Sequence, residues 1–367
     1  MRSIFLAAVS CFGWSFFSVV SFAQGGSVAV NSKLEKQIDT LLYAYHTSDN
    51  PGAAVLIFER GQIRMAKGYG IKNISTVEKV SAETCFRLAS LTKQFTAMSI
   101  LQLSQAGKLS LDSPVHFYLD SLPAYTQGIT IKNLLTHTSG LPDYEELISA
   151  AQKTQVHDLD CLRLLHTTHQ LYFEPGTAYR YSNTGYALLA LVVAQVSGED
   201  FASYLQQHIF RPLGMKHTIA LEEGKTNVTD RAMGHSRTSE GWKMTDQSIT
   251  SAVLGDGGIY TNVLDYARWI TALFSHKFIS DSQQAVAWQK ATLKNGSPVN
   301  YGYGWHVDEI RGKTYPHHSG SSIGFRNHIL LFPDKQRAVV ILTNRNEGNP
   351  YELALQITEL VWPSAAD

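Results

Sequence analysis

The segment Arg87-Leu-Ala-Ser-Leu-Thr-Lys-Gln-Phe-Thr-Ala97 holds the one Ser-x-x-Lys spacing in the chain, Ser90 and Lys93. A serine hydroxyl becomes a useful nucleophile when a neighbour takes its proton. A lysine inside an apolar helix bundle suits that task, because desolvation disfavours its charged form. Leu91, Phe95, Met98 and Leu101 recur at three- and four-residue steps, with Ile100 and Leu103 widening the face, until Gly107 offers a stop. This periodicity predicts a buried helix beginning at Ser90, with Lys93 one turn deeper on the same side. The N–H groups at its start would face any developing negative charge. Alone, the tetrapeptide is weak: composition supplies about one such spacing in a chain of this length.

Two further groups add chemistry to it. Tyr181-Ser-Asn183 lies in a predicted loop. A phenol beside Lys93 would share its proton and relay it to a leaving group, while the Asn183 amide both donates and accepts. His318-Ser319-Gly320 lies on a predicted strand. Gly320 would let that strand approach a substrate closely, and the Ser321 N–H, with that of Ser90, would form an oxyanion hole. Tyr260-Thr-Asn262 and Lys294-Asn-Gly296 repeat parts of these patterns. They read better as a strand end with a helix cap and as a turn.

These side chains need a large scaffold, and the chain supplies one. It has 367 residues, 44% of them hydrophobic, which is ordinary globular composition with a substantial core. Lys plus Arg equals Asp plus Glu at 31 each, so no global field favours nucleic acid or an anionic membrane. There is no zinc-type Cys/His spacing and no glycine-rich phosphate loop. Neither a metal nor a cofactor is expected.

Met1-Arg2-Ser3, the apolar stretch Ile4 to Val20 and Ser21-Phe22-Ala23 read as a signal peptide, residues 1–23, cleaved after Ala23. The rival is an uncleaved anchor, for which the apolar run falls a little short of the ~20 residues a span needs. Cleavage predicts a secreted or periplasmic protein with no stable membrane insertion. Only Cys85 and Cys161 remain in the mature chain; an oxidising compartment would allow one disulfide between them, and they read better as two buried free thiols.

The mature chain, 24–367, reads as one α/β (α+β) domain. A helix spans Lys33 to His46, and a hairpin joins Ala53–Phe58 to Gln62–Tyr69 at Arg60-Gly61. Helical segments follow, including one capped by Thr130, one from Asp158 to Gln170, one from Gly185 to Val196, and one capped by Asn262 with Asp265. Tyr301 to Val307, Thr314 to Ser319, Phe325 to Phe332 and Arg337 to Thr343 read as antiparallel strands, and Tyr351 to Val361 as a closing helix. The simplest packing is an antiparallel sheet flanked by the terminal helices, from about 30–88 and 300–367. A helical lobe at about 89–299 is inserted, and the site lies between the two.

In that order, Ser90-x-x-Lys93, Tyr181-x-Asn183 and His318-x-Gly320 resemble the three motifs of the serine β-lactamase and penicillin-binding protein superfamily. They are most similar to the branch holding class C β-lactamases, D-Ala-D-Ala carboxypeptidases and esterases. Leu134-Leu-Thr-His-Thr-Ser-Gly-Leu141, Pro175 to Tyr186 and Gly257 to Asp265 agree with it, so the likeness spans the mature chain. The resemblance implies a β-lactamase/transpeptidase-like fold and an acyl-serine intermediate on Ser90, with Lys93 and Tyr181 catalytic. Asn183, His318, Ser319, Gly320 and Ser321 would contact a small-molecule or short peptide substrate: a D-amino-acid peptide, an ester or a β-lactam. A covalent β-lactam sensor on the same fold is the non-enzymatic alternative. Efficient class C enzymes carry Lys in the third motif, and His318 departs from it. An unperturbed imidazole titrates near pH ~6.5, which predicts pH-dependent recognition of a substrate carboxylate.

Overall fold

The computed structural model of the chain describes residues 30–363 except Ser48 and Arg311. The expected signal peptide lies outside the described residues.

Alternation along the strands decides which residues face which layer. Val55 and Ile57 of β1 (Ala53–Glu59) face one core, while Ala54, Leu56 and Phe58 face another. β2 (Gln62–Tyr69) pairs with β1 as the predicted hairpin, and Arg60 and Gly61 take the left-handed turn. Four strands close the chain: β3 (His306–Ile310), β4 (Lys313–Ser322), β5 (Phe325–Phe332) and β6 (Arg337–Thr343). β6 returns to pair with β1, giving one antiparallel six-stranded sheet in the order β3-β4-β5-β6-β1-β2.

The terminal helices α1 (Ser32–Leu41) and α5 (Pro350–Val361) cover one face with Ile38, Leu353 and Ile357. The helical insertion covers the other. Its centre is α2 (Lys93–Gln105), buried on most sides. Phe95 on α2 is fully buried and stacks at 4.3 Å on Trp269 of α4 (Val263–Phe274). Burying such a ring contributes roughly 1.5–3 kcal/mol. Gln94 ties the two helices by accepting from Tyr266 Oη at 2.9 Å and Trp269 Nε1 at 3.1 Å.

Several boundaries moved from their sequence-based positions. The first helix breaks at Leu42 and resumes over Tyr43–His46. The expected helix from Ser90 begins instead with a 3-10 turn, Ala89–Thr92, and Ala89 has φ +50°. The helix predicted from Gly185 starts at Asn183, so the second motif's last residue sits on α3 (Asn183–Ser197). The strand expected from Tyr301 begins only at His306, because Gly302 and Gly304 shape a loop there and Gly304 has φ +78°. The caps at Thr130 and Asn262 form as expected. Cys85 and Cys161 are free and buried. Among the described residues no single helix is long and apolar enough to cross a membrane.

Candidate active site

Ser90 reaches the cleft because the chain around it is clamped. Ala89 takes a left-handed conformation that non-glycine residues rarely adopt, and the turn lifts the half-buried Ser90 out of the core. Asn327 on β5 donates to the carbonyls of Arg87 at 2.8 Å and Leu88 at 3.1 Å, fixing the turn against the sheet. A methyl group on Gly320 would lie 2.1 Å from the Leu88 carbonyl oxygen. Gly320 is therefore bare because β4 packs on the turn that carries Ser90. The close approach seen in the fold is to Leu88, a packing reason for the glycine beside the expected approach to substrate. Gly304 approaches the Lys93 carbonyl in the same way, its virtual Cβ at 2.7 Å.

Lys93 is fully buried at the start of α2. Its Nζ lies 3.0 Å from Ser90 Oγ, 2.8 Å from Asn183 Oδ1 and 3.1 Å from the Asp256 carbonyl. Two of these partners are carbonyl oxygens and only accept. A neutral amine has two protons to donate to them, which leaves its lone pair aimed at Ser90, the one partner able to donate. The faces of Tyr181 and Tyr186 lie 5.0 Å and 5.5 Å from the nitrogen, measured to ring centroids.

Tyr181 thus meets Lys93 through its ring. No hydrogen bond joins its hydroxyl to Lys93 among the described residues, in contrast to the expected direct proton-sharing pair. The ring stands 4.1 Å from that of His137, whose Nδ1 accepts from the Ser182 N–H. On the same side the Asn183 N–H donates to Asp143 at 2.7 Å, so that carboxylate sets where α3 begins. Asn183 Oδ1 faces Lys93, and its Nδ2 faces Glu145 at 3.4 Å.

Acids gather on this helical side. Burial, with Asp143 and Asp256 near, pushes Glu145 up to about 7 although the residue stays exposed on the rim. Burial pushes Asp256 up to about 6 against the pull of Lys93 and the Tyr144 hydroxyl, which donates to it at 2.8 Å. Asp158 receives the Leu254 and Gly255 N–H groups and holds the loop that carries Asp256. Sequence reasoning missed Asp143, Glu145, Asp256 and Asn327. Asp256, framed by glycines, was the available signal, whereas Asn327 lies in the polar run from Arg326 to His328 and does not stand out.

Histidines line the sheet side. His318 is 1% exposed, and burial, with His306 and Lys93 near, holds it well below the usual imidazole range. Its Nδ1 lies 2.6 Å from the Ser319 carbonyl, which only accepts, so Nδ1 carries the proton. Nε2 then accepts from the Tyr301 hydroxyl at 2.9 Å. Both nitrogens are committed, and the expected titration near pH 6.5 does not fit this environment. Burial and His317 lower His306 to about 4.

Ser319 and Ser321 are exposed on the last part of β4. Ser322 and Phe325 flank a two-residue turn and so form a mutually bonded pair; alternation then points the N–H groups of Ser321 and Ser319 away from β5. On that side pairing with β3 ends at His317, so the edge is open among the described residues. The two look-alike motifs lie elsewhere: Tyr260 is buried and bonded to Arg231 and Gln247, and Lys294 sits in a turn beside Gly176. A cavity of about 760 Å³ lined by Asp158, Phe201, Arg231 and Leu254 does not include Ser90 or Lys93 in its walls.

Comparison with known proteins fits this geometry. The model of the family described as Beta-lactamase matches residues 33–359. Penicillin-binding protein 4* of Bacillus subtilis is 30% identical over 335 residues, which cover 87% of this chain and 74% of that protein. The crystal structure of a penicillin-binding protein from Bacillus halodurans superposes with a TM-score of 0.76 at 28% identity, over 88% of this chain and 98% of that one. A D-amino acid amidase from Ochrobactrum anthropi shares the fold, with a TM-score of 0.77 at 22% identity over 91% of this chain and 99% of that one.

Proposed function

The chain belongs to the beta-lactamase family of serine hydrolases, and from that premise we propose that it hydrolyses small D-amino-acid peptides, amides or esters through an acyl-enzyme on Ser90. The observation that carries this reading is the Lys93 amine, held by two carbonyl acceptors with its third direction on Ser90 Oγ.

In this mechanism Lys93 takes the hydroxyl proton as Ser90 attacks the scissile carbonyl. The Ser90 and Ser321 N–H groups receive the oxyanion, and the open edge of β4 takes an extended substrate backbone as an added strand. Asn183 Nδ2 donates to the acyl side, its orientation set by Lys93. Tyr181, whose hydroxyl has no hydrogen-bond partner among the described residues, delivers a proton to the leaving group. Ser319 offers a hydroxyl beside the neutral His318. The Bacillus relatives named as penicillin-binding proteins support reactivity with β-lactams, and the amidase supports the D-amino-acid class. The segment before Gln24 acts as an export signal in this reading, and N-terminal sequencing of exported protein should begin there.

A fluorescent penicillin or phosphonate should label the wild type and leave Ser90→Ala unlabelled. Equal labelling of both would falsify the assignment. Repeated turnover of a p-nitrophenyl ester separates an enzyme from a sensor that acylates once.

A further inference from the structure

Behind the loop that carries Asp256 lies the cavity of about 760 Å³, a volume typical of small-molecule sites, which the chemistry above does not use. One side of it is apolar, built by Leu191 on α3 with Leu159, Phe201 and Leu254. Leu159 is 45% exposed, so this side is open to solvent. The other side is acidic. Asp158, Asp200, Glu222, Glu223 and Asp246 stand there against two permanent cations, Lys225 and Arg231. Both cations are already paired, Lys225 with Glu222 at 2.8 Å and Arg231 with Asp246. Asp200 binds only the N–H and hydroxyl of Ser203, each at 2.8 Å. Asp158, Asp200 and Glu223 thus have no cation in ion-pairing contact among the described residues.

The wall of this cavity is tied to the catalytic lysine. Asp158 accepts from the Leu254 N–H at 3.0 Å and the Gly255 N–H at 2.9 Å. Gly255 is packed hard on α3: a methyl group on it would lie 2.3 Å from the Tyr186 carbonyl oxygen. Its own carbonyl accepts from the Thr96 hydroxyl on α2 at 2.7 Å. The next carbonyl, that of Asp256, is one of the two acceptors that hold the Lys93 amine. Cavity and base therefore lie on two sides of one short segment, Leu254–Gly257.

We propose that the cavity is a regulatory site for a small amphiphilic amine, its apolar body on Leu159, Leu191 and Phe201 and its ammonium drawn to Asp158, Asp200 and Glu223. Occupancy fastens the Asp256 loop and speeds turnover at Ser90, a coupling that rests on the serine-hydrolase reading above. An anion would meet unneutralised carboxylates, and a neutral amphiphile would gain the apolar contacts alone. Burial pushes Asp158 up to about 7, so a nearby ammonium holds it ionised. An ionised carboxylate makes the stronger bonds to the Leu254 and Gly255 N–H groups, which steadies the Asp256 carbonyl on Lys93.

Three compounds with one apolar body and different heads test this: N,N-dimethyl-4-phenylbutylamine, 4-phenylbutanol and 5-phenylpentanoate. The first is a cation that forms no amide with an acyl-enzyme. Calorimetry on the full mature chain carrying Ser90→Ala reads binding, and steady hydrolysis of a p-nitrophenyl ester by the wild type reads coupling. The amine should bind about tenfold tighter than the other two and raise kcat about five-fold. Asp200→Asn combined with Glu223→Gln should bring the amine down to the affinity of the alcohol and leave basal turnover unchanged. Ala194→Trp, which fills the cavity from α3, should abolish binding and activation while basal turnover persists. Equal binding of the three compounds overturns the proposal, as does amine binding that survives Ala194→Trp. Amine binding that leaves an active wild type no faster overturns the coupling. A wild type that hydrolyses no ester removes the hydrolase reading instead, and calorimetry on Ser90→Ala still decides the site.

Discussion

The two walls of the cleft handle protons in opposite ways. On the helical side, Asp143, Glu145 and Asp256 are acids that burial holds in their protonated form to higher pH than usual. On the sheet side, His306, His317 and His318 are bases that burial holds neutral to lower pH than usual. Desolvation drives both, because each wall avoids charge in a site that already encloses the Lys93 amine. As an ammonium, Lys93 opposes the first of these shifts and adds to the second. Its charge favours ionised acids on one wall and opposes protonated imidazoles on the other. The helical wall therefore holds the groups suited to exchanging protons near neutrality. The sheet wall supplies shape, hydroxyls and an open strand edge.

If proton traffic belongs to the helical wall, its largest mutational effects should lie there. Lys93→Ala should lower kcat by ~10²-fold or more, and Tyr181→Phe should approach that loss, since it keeps the ring and removes only the hydroxyl. Tyr260→Phe should leave kcat near wild type, because its hydroxyl serves Arg231 and Gln247. Steady-state kinetics on the three variants decide it. A Tyr260 effect larger than that of Tyr181 would reassign the second motif.

The walls should also pull stability in opposite directions as pH changes. His306 titrates at about 4 folded against ~6.5 unfolded, so below pH 6.5 the unfolded chain binds the proton more readily. Its contribution to stability is lost as pH falls, by about 2 kcal/mol between pH 7 and 5, and His306→Gln should remove that share. Asp256 runs the other way. It titrates at about 6 folded against an ordinary value of 3.8, so the folded chain keeps the proton longer and stability falls as pH rises from 4 to 6. Asp256→Asn should gain on the wild type across that window, by about 2 kcal/mol at its upper end. Urea melts of the three proteins at pH 4, 5, 6 and 7 check both signs. Parallel curves would mean that these groups do not differ between folded and unfolded chains.

Much of this arrangement was legible in the residues. The hairpin at Arg60-Gly61 and the caps at Thr130 and Asn262 are local, so short spacing specifies them. The last four strands alternate between two cores, and the three motifs meet at one cleft, although Ser90 lies on a 3-10 turn and Asn183 on a helix. What escaped depends on packing between distant segments. Nothing local to Gly320 names the Leu88 carbonyl it must clear, and nothing near Ser90 shows that Ala89 takes a left-handed turn first. Glu145 looks like any acid in the first turn of a short helix until α3 brings Asn183 to it. His318 was read as a cleft-facing imidazole because its burial is made by Tyr301 and His306, which come from another strand and loop.

That last difference yields the smallest expected effect and a sharp one. A titrating His318 would make binding of a carboxylate substrate tighten as pH falls from 8 to 6, relative to the neutral ester of the same acyl group. In the folded protein its Nδ1–H donates to the Ser319 carbonyl and its Nε2 accepts from Tyr301, so protonation would have to reverse the Tyr301 bond and place a charge inside a buried site. Burial, His306 and Lys93 all oppose that step. The acid-to-ester ratio of KM, or of inhibitor Ki, should therefore stay flat from pH 8 to 6. Taking the ratio cancels any shared effect of Lys93 or Glu145 on turnover. His318→Gln, which can still accept from Tyr301, should leave it flat as well. A ratio that favours the acid at pH 6 in the wild type but not in His318→Gln would show that the imidazole turns into the cleft and takes a proton there. The sheet wall would then share in the proton chemistry, and the division between the walls would fail at that residue.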